Sequence, residues 1–474
     1  MLSYIEAKQT SIKRNRVDLY HFGYMLLSKS VRRLGETTTK LIKNYTTEIR
    51  AYLVKDHRAM LSESFMNKDK RATVETVIKS YLLNNQIVVP DVPAHELLDI
   101  ICDDIVGFGI IQSLIDDEGV TDIYINGTKE IKYEKMGEGE NTFAVRFETE
   151  EEVKSLAYKI VNSTSESLNT AKPYVDCVFP YIRFNIALDE IAGLGTTITI
   201  RKNANHLRAS EERMLSTNQA TKEMLDLLGA AVKAKMNILI AGSVGTGKTE
   251  FIKYLASHIP KDDRTLVVED NPELYLHRVF PEHHFVPMEC RSSEVEENAI
   301  GYDRLLTNAL RQGMKRLIVG ESRGKEALQT VNLFQTGHPG ATSIHARSAR
   351  EAFKRLMLMC LQSGARMDAE EIYDLLAQTF DLVIFLEKKE DSERYITQMV
   401  EVGDYIDGQI QFNQLSQFYK THEERNEVGK IVKIHGKHVT ESKMSKAMAK
   451  VFKESTVDLA LYQHYLPEED IKHA

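Results

Sequence analysis

The run Gly242-Ser-Val-Gly-Thr-Gly-Lys-Thr249 places three glycines, a lysine and a hydroxyl in the spacing G-x-x-x-x-G-K-[ST]. Residues of those types in that order can hold a triphosphate. The glycines let backbone N–H groups converge on phosphate, and a helix opening at Lys248 adds its partial positive charge. Lys248 would reach the β- and γ-phosphates, and the Thr249 hydroxyl would sit on Mg²⁺. The candidate cradle comprises Gly242, Ser243, Val244, Gly245, Thr246, Gly247, Lys248, Thr249 and the adjoining Glu250. Cleavage of a bound triphosphate also needs acids at neighbouring strand ends, to hold the metal and orient water. "TLVVEDNPEL" supplies Glu269, Asp270 and Glu273, and "RLIVGESRG" supplies Glu321. Single strand-end acids also serve as helix caps, so pattern alone leaves their roles open. His338 and His345 stand seven residues apart without a cysteine cluster, which is not the spacing of a zinc pair.

These groups need a scaffold that brings them together. "NILIAG" runs straight into the glycine loop, and "KTEFIKYLASHI" follows with Phe251, Ile252, Leu255 and Ile259 on one helical face. Further apolar runs, "TLVVED", "RLIVGE", "ATSIHA" and "DLVIFLE", alternate with helical segments, the pattern of a mostly parallel sheet covered on both faces. Upstream, from about Glu96 to Lys202, "TDIYINGT", "EIKYEKM", "IRFNIAL" and "TTITIRK" predict strands with helices before and between them, a mixed α+β module. From about Val17 to Asn84 the pattern is helical, with Leu41, Ile42, Tyr45, Ile49, Tyr52 and Leu53 on one stripe of the kind that packs internally. "IVVPDVP" breaks these helices, and "NANHLRASEER" is a polar linker. After about Arg394, "YITQMVEV" and "GQIQFNQL" predict a hairpin, and the tail then ends in charged helices. The divisions are 1–90, a helical extension; 91–202, the α+β domain; 203–215, the linker; 216–400, the α/β domain; and 401–474, the hairpin and helical tail.

At 474 residues the chain exceeds one ordinary core. Its 61 basic and 69 acidic side chains balance to −8, so no bulk charge draws it to nucleic acid or anionic lipid. The four cysteines, Cys102, Cys177, Cys290 and Cys360, lack C-x-x-C spacing and fit thiols in a reducing cytoplasm. The opening "MLSYIEAKQTSIKRNR" lacks the apolar run of a signal peptide, and no stretch of about 18 apolar residues occurs, so any membrane contact is expected through a partner.

Four boxes in order, "GSVGTGKT", "VEDNPEL", "LIVGESRG" and "TGHPGATSIHA", resemble the Walker A, aspartate, Walker B and histidine boxes of the type II/type IV secretion superfamily of traffic ATPases. Within it the chain is similar to the tight-adherence (Tad) pilus branch and its conjugation relatives. "DDIVGFGIIQSLIDDEGVTDIYING" and "YVDCVFPYIRFNIAL" resemble parts of that family's N-terminal domain, so the likeness spans roughly Glu96 to Val402. The resemblance implies an α/β fold: a RecA-like P-loop ATPase domain behind an α+β N-terminal domain and a helical N-terminal extension. It further implies that Glu321 helps hold Mg²⁺ with Thr249, and that Glu273 polarises the attacking water. His338 and His345 would sense the γ-phosphate and link subunits. Arg183 and Arg201 would bring positive charge over the nucleotide, from within or across a subunit boundary. Arg323 would belong to the Walker B turn. The implied assembly is a homo-hexamer that hydrolyses ATP on an inner-membrane platform protein and exports pilin, effector protein or DNA. One departure stands out, since Gly313, Met314 and Lys315 occupy the place of the family's usual Arg-Pro-Asp before Walker B. Two other readings are a hexameric nucleic-acid translocase, for which no basic-aromatic channel segment is evident, and a nucleotide-binding scaffold that does not cycle, which would need no water-orienting acid.

Overall fold

A computed structural model of the chain describes residues 36–291 and 299–471. The part of the helical pattern before residue 36 and the "MLSYIEAKQTSIKRNR" stretch lie outside the described residues. Contacts divide the chain into two units, Met1–Lys135 with Glu140–Lys202, and Met136–Gly139 with Asn203–Ala474.

In the first unit, helix Glu36–Asp56 turns the expected stripe inward. Ile42, Ile49 and Leu53 are buried with Val74 and Ile78 of helix Lys68–Asn84 and Leu97 and Ile101 of helix Ala94–Val106. The stripe therefore closes a core of its own. Asn67 caps Lys68–Asn84 by accepting from the Lys70 N–H, and Pro93 starts the next helix. A six-stranded sheet follows: β1 (Val120–Asn126), β2 (Glu130–Lys135), β3 (Gly139–Thr142), β4 (Tyr174–Phe179), β5 (Ile182–Ala187) and β6 (Thr197–Lys202), in the order β3-β2-β1-β6-β5-β4. Alternation turns Ile123, Ile125, Phe184, Ile186, Ile198 and Ile200 onto Val153, Leu156 and Ile160 of helix Glu150–Val161. The other face carries Asp122, Arg183 and Arg201.

The second unit is built on nine strands: β7 (Ile238–Gly242), β8 (Thr265–Glu269), β9 (Phe285–Glu289), β10 (Arg316–Val319), β11 (Gly340–His345), β12 (Leu382–Lys388), β13 (Arg394–Ile406), β14 (Gln409–Arg425) and β15 (Ile431–Thr440). Their order is β15-β14-β13-β12-β7-β11-β10-β8-β9, with the run from β12 to β9 parallel. Every residue of β7, β8 and β10 is buried, as strands covered on both faces must be. Successive residues feed opposite layers: Ile238 and Ile240 pack with Phe251 and Leu255 of helix Lys248–Ser257, while Leu239 and Ala241 pack with Phe353 and Phe380. This is the RecA-like α/β architecture.

The carboxyl-terminal part differs from expectation. β13 pairs with β12 from Leu382↔Glu401 to Lys388↔Arg394, so a boundary at 400/401 cuts a strand of the same sheet. A third strand, β15, lies where charged helices were expected. It is an edge strand with only Ile434 buried, so it lacks the apolar alternation that marks a strand in sequence, and Lys433, Lys437 and His435 instead suit an exposed edge. A short helix, Lys446–Glu454, follows.

The β10–β11 contact leaves no room for a side chain at Gly340, where a Cβ would meet the Leu317 carbonyl oxygen at 1.6 Å. Because the two strands pair at that point, Gly340→Ala is expected to lower stability by about 3 kcal/mol, read as an earlier denaturant midpoint.

Candidate functional site

Parallel pairing decides what meets at the loop. Register sets His345 beside Gly242 and Val319 beside Val268, so the carboxyl ends of β7, β8, β10 and β11 share one edge. Ligands of open α/β sheets bind beyond that edge. Gly245 and Gly247 take φ of 74° and 89°, left-handed values that admit glycine. A Cβ at Gly245 would meet nothing within 4 Å, so the loop is open on the side a ligand would enter. Helix Lys248–Ser257 starts with Gly247 as its cap, a residue with no side chain to accept from the first N–H groups. Such an end suits an anion.

Lys248 is buried and donates to the carbonyls of Gly242 at 3.1 Å and Ser243 at 3.0 Å. Burial pushes its ammonium down to about 8. Its third contact is His345 Nδ1 at 3.2 Å. An ammonium has only donors, so Nδ1 must accept and the imidazole proton resides on Nε2. That nitrogen faces Glu321 Oε1 at 3.0 Å. Burial first, then the Lys248 charge, hold His345 below its ordinary range, which keeps the ring neutral at pH 7 in this tautomer. Glu321 is clasped on its other oxygen by Arg323, through Nε at 2.9 Å and Nη2 at 2.8 Å. Across the loop, Thr249 Oγ1 donates to Glu273 Oε2 at 3.3 Å. Lys248, His345 and Glu321 thus form one chain of contacts at the helix start, with the Thr249–Glu273 pair beside it.

The network fits Mg²⁺ and a triphosphate. Thr249 and Glu321 offer hard oxygen donors, and a magnesium ion shared with phosphates keeps several waters and needs few protein ligands. Among the described residues, no group of three or more His, Cys, Asp or Glu could hold a metal ion alone. Glu250 faces away from this work. It pairs with the buried Lys253 at 2.7 Å and accepts from the Arg208 N–H at 3.2 Å, which fastens residues 204–208 to the helix.

Three expected residues are not among these contacts. His338 is not in the cluster: it precedes β11, at the end opposite His345, and hydrogen-bonds Thr336 at 3.4 Å. Seven extended residues span roughly 20 Å, so two histidines of one box cannot both reach the loop of the same chain. Arg183 and Arg201 sit in the first unit, directly opposite each other on β5 and β6. Asp176 lies 3.5 Å from the first and Asp122 3.0 Å from the second. Arg355, on helix Ala349–Gln362, was not anticipated: its charge acts on both Lys248 and His345, and nothing in a basic helical run marks it in sequence.

Residues 104–404 match the family model described as type II/IV secretion system protein. The chain is 30% identical over 307 residues to the type IV secretion system protein VirB11 of Brucella suis, covering 58% of this chain and 82% of that protein. It is 32% identical over 213 residues to VirB11 of Bartonella quintana, covering 42% and 59%. A crystal structure of the Brucella suis VirB11 ATPase in complex with sulphate aligns at 26% identity and a TM-score of 0.32, over 61% of this chain and 95% of that one. Among the described residues no helix is long and apolar enough to cross a membrane.

Proposed function

The chain belongs to the type II/IV secretion system protein family, and on that premise we propose that it is an ATP-hydrolysing motor for secretion, pilus assembly or conjugative transfer. It acts as a homo-hexamer on the cytoplasmic side of an inner-membrane platform protein, and its work moves an exported protein or DNA. The observation that supports hydrolysis over bare nucleotide binding is the pair of carboxylates tied into the loop network, Glu273 on Thr249 and Glu321 on His345. A scaffold that only holds nucleotide can use Glu321 for the cation but has no use for a water-orienting acid such as Glu273.

Bound at Gly242–Thr249, Mg²⁺ and ATP would supply the transferable phosphoryl group and the Lewis acid that draws charge from it. Thr249 and Glu321 would hold the cation. Lys248 exchanges its loop carbonyls for phosphate oxygens, a trade that strengthens each contact because the new acceptors are charged. Glu273 orients the attacking water and accepts its proton. His345 reports on the exchange, because Lys248 leaving Nδ1 alters the imidazole that also binds Glu321. The same proposal extends to Arg183 and Arg201, whose guanidiniums add positive charge for the transferring group.

Phosphate release by the purified chain tests this reading. Turnover is expected with Mg²⁺, to be lost on addition of EDTA, and to be indifferent to single-stranded DNA. Strong stimulation by DNA would move the assignment to a nucleic-acid translocase. Tight ATP binding with no Mg²⁺-dependent phosphate release would leave only a scaffold.

A further inference from the structure

Glu269 ends β8 and is 5% exposed. Its Oε1 accepts two backbone N–H groups four and five residues on, those of Glu273 and Leu274, each at 3.0 Å. The segment it gathers is a tight turn in which Tyr275 takes a left-handed φ of 48° while only 7% exposed, a costly conformation for a side chain of that size. Gly320 closes the other side, where an added Cβ would stand 3.1 Å from Glu269 Cγ. Beside the carboxylate is a cavity of about 10 Å³, the size of a single water. A buried carboxylate spent on backbone donors, next to strained backbone, is an expensive way to close a turn unless the turn must be held in one place.

We propose that Glu269 is the positioning residue of the reaction: its ionised carboxylate clamps the Glu273 backbone, and so fixes where the Glu273 side chain stands against Thr249 and the attacking water. This rests on the hydrolytic reading above. The clamp is strongest when charged, because N–H groups bind a carboxylate more tightly than a neutral acid. Burial first, with Glu273 and Glu289 of β9 adding repulsion, raises Glu269 to about 7. Among the described residues, Tyr275 and His277 line the same cavity, and Tyr302 of helix Tyr302–Ala309 feels its charge. Below that pH the protonated acid is a weaker acceptor, so turnover should fall as pH drops through about 7.

The test compares wild type, Glu269→Ala, Glu269→Gln and Lys248→Ala in the full chain by phosphate release and by binding of a fluorescent ATP analogue. Glu269→Ala is expected to lose kcat by roughly 100-fold, the scale of a misplaced catalytic group, with KM for ATP within threefold. Glu269→Gln keeps the shape and one acceptor, so it should recover part of that loss and flatten the pH profile near 7. If the alanine variant does not fold, the glutamine variant decides alone. A Glu269→Gln enzyme with wild-type kcat and an unchanged pH profile overturns the inference, as does a loss shared between KM and kcat. If wild type and Lys248→Ala release phosphate equally, the hydrolytic reading fails and this inference with it; if only Lys248→Ala is inert, this inference fails alone.

Discussion

Replacing Lys248 by alanine is expected to lower ATP turnover by about 10³-fold or more, because it removes a buried cation at the loop where phosphoryl charge would develop. The loss should not be a loss of fold. An ammonium held at about 8, below its unfolded value, is one the folded state keeps charged at a cost, and the two values imply a cost of about 3 kcal/mol. That cost is fully present below pH 8 and fades as pH rises toward the unfolded value, where both states release the proton. Lys248→Met, which retains most of the apolar stem, should therefore unfold no earlier than wild type at pH 7. Its advantage should shrink between pH 8 and pH 10, where wild type gains stability. Denaturant midpoints at the two pH values check the sign, and phosphate release on the same preparations checks the chemistry. A methionine variant that is much less stable at pH 7 would mean that the bonds to Gly242 and Ser243 hold the loop together, and lost activity would then say little about phosphate.

Much of the site was legible because its signals are local. A loop of glycines ahead of Lys248 and Thr249 can be read from eight consecutive residues, and the buried strands β7, β8 and β10 announce themselves as unbroken apolar runs. The strands beyond Arg394 were harder in proportion to their exposure: β13 and β14 bury several residues each and were expected, whereas β15 buries one and was not. What sequence could not give was distance across the sheet. His338 and His345 belong to one box, yet the strand between them separates them by its full length, and only parallel register shows which end meets Gly242. The same holds for Glu269, which looks like any strand-end acid until its two backbone partners are seen. The stripe of the first long helix resolved toward the plain reading, as internal core.

The division of labour between the two glutamates, which pattern leaves open, is tested by a pair of isosteric changes. Glu273 touches the loop only through Thr249, so Glu273→Gln should leave nucleotide affinity intact and lower kcat by about 10² to 10³-fold, the cost of losing the group that orients water and takes its proton. Glu321 is fixed by Arg323 on one side and His345 on the other, and an amide can satisfy only one of them well, because its nitrogen would face a donor. Glu321→Gln should therefore weaken the cation site as well, raising the Mg²⁺ concentration for half-maximal turnover several-fold while Glu273→Gln leaves it unchanged. Titrations of Mg²⁺ at saturating ATP separate the two. If both variants shift the Mg²⁺ requirement alike, both carboxylates share the ion, and the water-orienting role must fall to a group other than Glu273.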